Sequence, residues 1–263
     1  MITHLDGELY GALNAMESSF HVRLIGTFAP DLIWAPADAE AGPWLTQNCP
    51  DFDQFPVRQD DSTMGILLRH SGYAGKTVRQ VMQPLREGLI VSADMPISEL
   101  IPQLRRSHYR LILRGGRLDG LVTQSDLLKL PVRMLLFGLI SHLELCLRAL
   151  VRERAPWPKW LELLKAERRK AVCSKLEDLR EARFEPDPLE VSSFSDVLDV
   201  LAQQRDLGDG FRKEADLIRI LRNDVAHAKT YINSAADVCQ FVDRFTYIRE
   251  LIDRVSGMLR STK

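Results

Sequence analysis

The sequence predicts an α+β protein in two parts, an N-terminal α/β part and a C-terminal part made of helices alone. Two observations predict this division. Before Leu130–Pro131 the apolar runs are short and are broken by Gly, Pro and Asp, whereas after it they lengthen and take a helical period. Two segments of the first part also echo each other, which is typical of a duplicated α/β unit. We therefore expect domains at residues 1–131 and 132–263.

The two echoing segments each predict a helix, a strand, a turn and a second strand. In the second copy, Ile97, Leu100, Ile101 and Leu104 recur at helical spacing, so the helix falls within residues 96–108. The rest of that copy is predicted as a strand at 109–113, a glycine turn at 114–120 and a strand at 121–123. The first copy is predicted as a helix within 35–48, strands at 54–58 and 64–69, and a turn at 59–63. Pairs of such units normally pack together as one small body.

The second part predicts about five helices. The first covers 133–153, the second runs from about Lys159 to Arg183, a third begins near Ser192 or Ser193 as N-cap, and a fourth carries the segment "LRNDVAHAKTY" (221–231). The fifth is clearest, because its apolar residues alternate steps of three and four: Val238, Phe241, Phe245, Ile248, Ile252, Val255 and Leu259. Such stripes suit the core of a helical bundle.

The overall composition excludes several classes of protein. A net charge of −1 gives no strong global field, so any RNA-binding surface has to be local. The four cysteines lie far apart without a C-x-x-C pair, which argues against structural zinc or a disulfide framework and favours the cytoplasm. The apolar stretch 134–151 is interrupted by His142, Glu144 and Arg148, so we expect a buried bundle helix and no membrane span.

The stretches "TVRQVMQPL" (77–85) and "GLVTQSDLL" (120–128) carry a resemblance. Over Thr77–Leu130 the chain resembles a CBS (cystathionine-β-synthase-type) module, and the duplicated first part resembles a tandem pair of them. In that family the Gly-x-x-Thr-x-x-Asp stretch holds the phosphate and ribose hydroxyls of an adenine nucleotide. The resemblance therefore implies that Gly120, Thr123 and Asp126 bind an adenine nucleotide as a regulatory ligand.

One such site is expected and not two. The first copy has Leu68 and Ser71 where Thr and Asp stand in the second. Plain helix N-capping is the alternative interpretation of Thr123 and Asp126, since Thr-x-x-Asp before a helix is also a capping pattern.

The segment 221–231 concentrates polar residues on an otherwise amphipathic helix. Asn223 and His227 are four residues apart and share one face of the helix. Arg222 lies about 140° around the helix from His227, so one helix brings it to them only by a long reach. This geometry favours a site shared between two copies of the chain. The alternative is a helical core that holds a satisfied histidine.

The pattern Arg222-Asn223-x-x-x-His227 resembles the motif of HEPN (higher eukaryotes and prokaryotes nucleotide-binding) domains, and the helical part is similar to that family in length and helix order. Many members are metal-independent endoribonucleases, often toxins or antiviral defence proteins, that act as homodimers and in some cases with an antitoxin. The resemblance implies that His227 transfers protons, Arg222 holds the scissile phosphate and Asn223 orients the histidine. A near-neutral imidazole and a bidentate guanidinium suit these roles. Neither a metal nor another cofactor is expected in catalysis.

Basic residues near the predicted site are candidates for binding the RNA backbone: Lys229, and Arg168, Arg169 and Lys170 on the second helix. A solvated helix face is the alternative interpretation of that run. Glu144 is predicted to neighbour the cluster, because a carboxylate on an apolar helix usually has a partner. Members silenced by nucleotidylation have a tyrosine two residues after the histidine, where this chain has Lys229 and reaches Tyr231 only later. Control by that route is therefore not expected.

Together these observations predict a nucleotide-regulated endoribonuclease. Ligand binding in the CBS-like half would control cutting by preferring one arrangement of the dimer. The alternative is a non-catalytic nucleotide-sensing module whose helical bundle docks a protein or nucleic acid. A third possibility is a CBS-like half that binds nothing and only dimerises.

Overall fold

The computed structural model describes residues 2–48, 51–70, 72–204, 207–208, 210–227 and 230–261, with side chains from residue 11 onward. The chain divides into two compact units: a sheet unit, Glu17–Val132, and a helical unit, Met1–Met16 with Arg133–Lys263. The first helix, α1, spans Ile2–Ser19. Residues 1–16, which the sequence assigns to the N-terminal domain, therefore group with the helical unit.

The sheet unit contains two sheets of four strands each. Its elements are β1 Thr27–Phe28, β2 Ala35–Pro36, α2 Ala41–Gln47, β3 Gln54–Gln59, β4 Ser62–Leu68, α3 Val78–Val81, β5 Gln83–Pro84, β6 Ile90–Ser92, α4 Ile97–Gln103, β7 Tyr109–Arg114 and β8 Arg117–Thr123. The strand orders are β2-β3-β4-β5 and β1-β8-β7-β6. The predicted helix-strand-turn-strand units are present. β8 begins earlier than expected, because only Gly115 and Gly116 have the positive φ that the tight turn needs.

The two sheets are copies of each other with exchanged outer strands. In each copy a short strand pairs parallel with the first hairpin strand, as β2 does with β3 and β6 with β7. The fourth strand of each sheet comes from the segment that leads into the other copy, since β5 pairs with β4 and β1 pairs with β8. This exchange ties the two copies into one body.

Gly65 and Gly120 occupy the same position in the two copies, directly beside the exchanged strand. Gly65 pairs with Pro84, and Gly120 pairs with Phe28. A Cβ on Gly65 would overlap the Gln83 carbonyl oxygen, and a Cβ on Gly120 would lie 2.5 Å from Phe28 Cε1. Glycine is therefore required at residue 65 for the backbone of the outer strand to approach, whereas at residue 120 it makes room for the Phe28 ring.

Alternation along the strands builds a core on both faces of the first sheet. Leu67 packs with Phe55 and Val57 against α2 and α3, through Ala41, Leu45 and Val78. Its neighbour Ile66 faces the other way and packs with Leu111 and Leu121 of the second sheet. The Thr63 hydroxyl donates to the Leu118 carbonyl oxygen at 2.9 Å, a further link between the sheets.

The helical unit contains seven described helices after residue 129. They are α5 Leu130–Arg154, α6 Lys159–Glu162, α7 Ala166–Glu181, α8 Pro188–Val191, α9 Phe194–Gln204, α10 Phe211–Ala226 and α11 Ala235–Ser261. The apolar stripe predicted for the fifth helix is buried along its whole length on α11. The predicted second helix is two helices, α6 and α7, and Arg169 donates to the carbonyl oxygens of Glu162 and Leu164 where α6 ends.

A buried arginine joins α5 to α8. Arg148 donates to the Leu189 carbonyl oxygen, to the Ser192 hydroxyl at 3.2 Å and to the Ser192 carbonyl oxygen at 3.1 Å. It also forms an ion pair of 2.6 Å with Glu144. The partner of Glu144 is thus Arg148 on its own helix, and the predicted neighbourhood of Glu144 with the Arg-Asn-His segment is not needed to explain this carboxylate.

Helix α5 is long and apolar enough to cross a membrane by length and composition, and 61% of its most apolar window is buried inside the protein. The core helix of a bundle passes the same test. Leu135, Leu139, Leu143 and Leu147 of α5 are all at most 1% exposed, which favours the interpretation as a bundle helix.

Candidate functional site

A cleft of about 570 Å³ opens in the sheet unit where β8 ends. Three stretches of chain form its walls: the segment before β2, the segment that enters β3, and the turn after β8. The residues that line the cleft include Asp31, Asp51, Phe52, Asp53, His108, Thr123, Gln124, Ser125, Asp126 and Lys129. Two of the predicted nucleotide-binding residues, Thr123 and Asp126, therefore lie in one cavity.

Thr123 and Asp126 also cap the turn that follows β8. The Thr123 backbone NH donates to Asp126 Oδ2 at 2.6 Å, and the Thr123 hydroxyl donates to the same oxygen at 3.1 Å. The Thr123 hydroxyl in turn accepts from the backbone of Asp126, which completes a capping box. The capped element is a 3-10 turn, Gln124–Leu128. Thr123 and Asp126 therefore both cap the turn and line the cleft.

Lys129 neutralises the buried carboxylate. Its ammonium lies 2.7 Å from Asp126 Oδ1 and donates to the Ile25 carbonyl oxygen at 2.6 Å. The side chain of Asp126 is 9% exposed, whereas that of Lys129 is 44% exposed. The cleft thus presents a carboxylate that is held from several sides and a cation that can reorient.

Gly120, the third predicted binding residue, serves the packing of the sheet. It lies in β8 opposite Phe28, three residues before the cleft-lining Thr123. Its lack of a side chain is explained by the approach of the Phe28 ring. Nothing in its position requires a ligand.

Apolar side chains surround the equivalent position of the first copy. β4 ends at Leu68, which stands where β8 ends at Thr123. Leu68 packs with Leu85 and Leu89 against the core cluster that contains Tyr109. Ser71, the counterpart of Asp126, lies outside the described residues. This packing favours a single ligand site in the pair.

The wall formed by the segment that enters β3 was not predicted from the sequence. Phe52 lines the cleft and is 56% exposed, an unusual exposure for a phenylalanine. Arg69 holds this segment in place, since its guanidinium donates to the carbonyl oxygens of Phe52 (2.7 Å), Leu45 (2.9 Å) and Asn48 (3.1 Å). No local motif marks this wall, because it reaches the cleft only through the pairing of the two copies.

A second candidate site lies at the end of α10 in the helical unit. The helix ends at Ala226, and His227 is its C-cap, with its backbone NH donating to the Asn223 carbonyl oxygen at 3.0 Å. Arg222, Asn223 and His227 are all exposed. The buried side of α10 consists of Phe211, Ala215, Ile218, Leu221 and Val225. Helical spacing predicts a buried stripe of Leu217, Leu221, Val225 and Ala228 on this helix, but Ile218 is buried where Leu217 is only half-buried, and Ala228 lies outside the described residues.

The predicted RNA-binding arginines on α7 have partners within the protein. Arg168 binds the buried Asp196 with two hydrogen bonds of 2.9 and 2.8 Å, and these bonds raise the pKa of Arg168. Arg169 caps α6, as described above, whereas Lys170 is exposed. Lys229 lies outside the described residues. An RNA backbone would therefore have to compete with Asp196 for Arg168.

Tyr231 follows α10, and its ring packs against other side chains of the helical unit. Its ring stacks on Phe241 with centroids 5.3 Å apart, and the Arg133 guanidinium lies 5.1 Å from the ring centroid. Burial raises the pKa of Tyr231 to about 12. Within the ranges given above, no three His, Cys, Asp or Glu side chains gather in a way that could hold a metal ion.

Comparison with known proteins identifies one segment of the chain. Residues 78–133 match the family model of the CBS domain. This CBS-domain segment runs from α3 to the start of α5 and contains His108, Thr123, Asp126 and Lys129 of the cleft. Asp31 and the segment 51–53 lie outside it. No curated protein matches the chain.

Solved CBS structures are similar to part of the chain. The CBS domain of a bacterial CNNM/CorC-family Mg²⁺ transporter in complex with ATP is 21% identical, and the match covers 48% of this chain and 96% of that chain with a TM-score of 0.38. The CBS-pair protein CBSX2 from Arabidopsis thaliana is 15% identical, and the match covers 44% of this chain and 96% of that chain with a TM-score of 0.37.

Proposed function

We propose that the sheet unit is a nucleotide sensor that binds an adenine nucleotide in the cleft at the end of β8. The observation that carries this proposal is that Thr123 and Asp126, the two side chains of the CBS-type motif, line one cavity of about 570 Å³. Cavities of this size are typical of small-molecule sites.

The side chains of the cleft suit the parts of a nucleotide. A carboxylate such as Asp126 accepts hydrogen bonds from two ribose hydroxyls, and the exposed ring of Phe52 offers a flat apolar surface to a base. Lys129 is the cation available to a phosphate. Because Lys129 already pairs with Asp126, ligand binding has to exchange that ion pair for contacts with the ligand.

Calorimetry of the full chain with AMP, ATP and S-adenosylmethionine tests the sensor. We expect saturable binding by the parent and at least tenfold weaker binding by Asp126→Asn, about 1.4 kcal/mol. Asparagine retains an oxygen that can accept from the Thr123 NH, so the cap is kept. Asp94→Asn is the matched control, since Asp94 is an exposed carboxylate paired with Arg23 in the same unit. Binding that is absent, or unchanged in Asp126→Asn, would contradict the sensor.

For the helical unit we propose metal-independent cleavage of RNA at the end of α10, controlled by the sensor. The supporting observation is the exposure of Arg222, Asn223 and His227 together at one helix end, where a substrate reaches them without unfolding. In the reaction His227 would take the 2′-hydroxyl proton or protonate the leaving oxygen. Arg222 would bind the phosphate oxygens, and the intramolecular attack would leave a 2′,3′-cyclic phosphate.

The placement of Arg222 supports a site shared by two protomers. Arg222 and His227 are separated by about 140° around α10, whereas Asn223 and His227 share a face. A second copy supplies the missing group if its Arg222 approaches the first copy's His227.

RNA cleavage by purified protein, with analysis of the new ends, tests this proposal. His227→Ala and Arg222→Ala should each lower the rate by roughly 10²–10⁴-fold, whereas Arg212→Ala, an exposed arginine at the other end of α10, should not. Mixing the two inactive variants should restore about a quarter of the parent activity, because half of the dimers are mixed and each has one intact site. Active variants, or no restoration, would contradict the shared site.

A non-catalytic docking module is the competing function. The observation that favours it is an apolar face on α5, where Met134, Phe137 and Leu145 are 47–53% exposed. Nucleotide binding by a protein that cleaves no RNA in the presence or absence of nucleotide would decide for docking.

A further inference from the structure

The walls of the cleft carry an excess of negative charge. Asp31, Asp51, Asp53 and Asp126 line it, against the single ammonium group of Lys129. Three of the four carboxylates, Asp31, Asp51 and Asp53, lie on the walls before β2 and before β3, which the CBS-type motif does not include.

The four carboxylates differ in how far they are neutralised. Asp126 forms an ion pair of 2.7 Å with Lys129, and Asp53 lies 3.9 Å from Arg69 Nε. Asp31 and Asp51 are exposed, and neither forms an ion pair with any residue that the structure describes. The negative field of the cleft therefore comes chiefly from Asp31 and Asp51.

The cleft also offers few groups to a chain of phosphates. The capping box uses the backbone NH groups of Thr123 and Asp126, and the Gln124 NH donates to the His108 carbonyl oxygen at 3.1 Å, so these three NH groups are not available to phosphate oxygens. Lys129 can compensate about one phosphate charge, and every further phosphate meets carboxylates in the same cleft, where like charges repel each other.

We propose that the cleft selects an adenosine compound with at most one phosphate, and that Asp31 and Asp51 exclude the di- and triphosphates. This inference rests on the nucleotide site proposed above and specifies its ligand class. Discrimination comes from repulsion of the wrong ligand as much as from attraction of the right one.

The test is a calorimetric series of adenosine, AMP, ADP and ATP with the full chain in EDTA, since bound Mg²⁺ would hide the phosphate charge. For the parent we expect Kd to rise at least tenfold from AMP to ATP. In the double variant Asp31→Asn/Asp51→Asn, the ATP affinity should increase, and the Kd for ATP should come to within about threefold of the Kd for AMP. S-adenosylmethionine, whose sulfonium is cationic, should bind this variant more weakly than the parent.

A matched control removes the same charge elsewhere in the unit. Asp60 and Asp61 form the turn after β3, and β3 runs from the cleft wall at Gln54 to Gln59. At about 3.3 Å per residue the turn lies roughly 20 Å from the cleft end of the strand. Asp60→Asn/Asp61→Asn should leave the AMP-to-ATP ratio unchanged, and Asn suits the positive φ of residue 60.

The possible outcomes distinguish the charge selection from the nucleotide site itself. ATP binding to the parent as tightly as AMP would overturn the charge selection and leave the nucleotide site standing. An equal change of the ratio in the variant and the control would overturn the role of Asp31 and Asp51. Failure of every compound to bind the parent would remove the site itself. A misfolded variant cannot mimic the expected result, because it cannot bind ATP more tightly.

Discussion

At the scale of single residues, Asp196 is a buried charge that is held by several hydrogen bonds. It is 2% exposed and accepts from Arg168, from the Ser193 backbone NH at 2.8 Å and from the Ser193 hydroxyl at 2.8 Å. Burial by itself raises the pKa of Asp196, but the hydrogen bonds of Arg168 and Ser193 outweigh it and the pKa is lowered. The ionised carboxylate thus anchors α7 to the start of α9.

Asp196→Asn should therefore destabilise the fold by about 2 kcal/mol in urea unfolding at pH 7, because the variant loses the charged bond to Arg168. Since the folded pKa lies below the unfolded value of 3.8, the contribution is present above pH 4 and is lost as the pH falls below it. Asp199→Asn is the control, because Asp199 on the same helix is half-exposed and pairs with Arg219 at the surface. Asp199→Asn should lower the free energy of unfolding by less than about 1 kcal/mol. Equal losses would mean that Asp196 contributes no more than a surface charge.

His142 of α5 also makes the fold sensitive to acid, but at a higher pH than Asp196. It is 7% exposed, its Nε2 lies 3.5 Å from Cys146 Sγ, and burial lowers its pKa. The unfolded chain binds a proton near pH 6.5 and the folded chain resists it, so stability is full above pH 6.5 and falls as the pH drops below it. The slope can reach about 1.4 kcal/mol per pH unit.

His142→Met should remove the loss of folding stability between pH 6.5 and the lowered pKa of His142, because methionine fills the space without titrating. Urea unfolding from pH 7.5 to 5 measures the slope, and His70→Gln, a change at an exposed histidine, should leave it as in the parent. A slope that survives in His142→Met would assign the acid sensitivity to another group.

At the scale of elements, the exchanged strand β5 depends on Gly65 of β4. A Cβ at residue 65 meets the backbone of Gln83 and Pro84, which cannot rotate away, so Gly65→Ala should destabilise by about 2–3 kcal/mol. Gly88→Ala is the control, since nothing lies within 4 Å of a Cβ there. Chemical unfolding of both variants measures the difference. A Gly65→Ala protein as stable as the control would show that β5 can move away from β4.

The helices and hairpins could be predicted from the sequence because their information is local. The stripe from Val238 to Leu259 repeats with a period close to 3.6, and the pair Gly115-Gly116 marks the turn of its hairpin. The exchanged strands have two residues each and no periodicity, so only their pairing partners define them. The break between α6 and α7 was missed because the carbonyl groups at the end of α6 bond to a side chain of α7.

The residues of the candidate cleft also fall into those that a local motif predicts and those that it does not. Thr123 and Asp126 were predicted because one short motif contains both. Asp31, Asp51 and Phe52 could not be, because they are far from that motif along the chain and meet it only after the two copies exchange strands. The bond of Arg168 to Asp196 could not be predicted for a related reason, since a run of basic residues does not reveal a buried carboxylate 28 positions away.

At the scale of the whole molecule, the proposed sensor and the proposed nuclease have to be linked by a coupling free energy. If a nucleotide changes the affinity of the helical unit for RNA by some factor, RNA must change the affinity of the cleft for the nucleotide by the same factor. This reciprocity holds whichever direction the regulation takes, so it can be measured without knowing whether the ligand activates or inhibits.

His227→Ala makes the measurement possible, because a protein that binds RNA without cutting it can be brought to equilibrium. With RNA at saturation, the Kd for AMP should change by roughly 5–150-fold, the usual range of allosteric coupling. The reverse titration, RNA affinity with and without AMP, should give the same factor. Asp126→Asn supplies the control, since it should bind RNA normally and show no effect of AMP. Equal AMP affinities with and without RNA would mean that the two units act independently, and the nuclease would then not be under the control of the cleft.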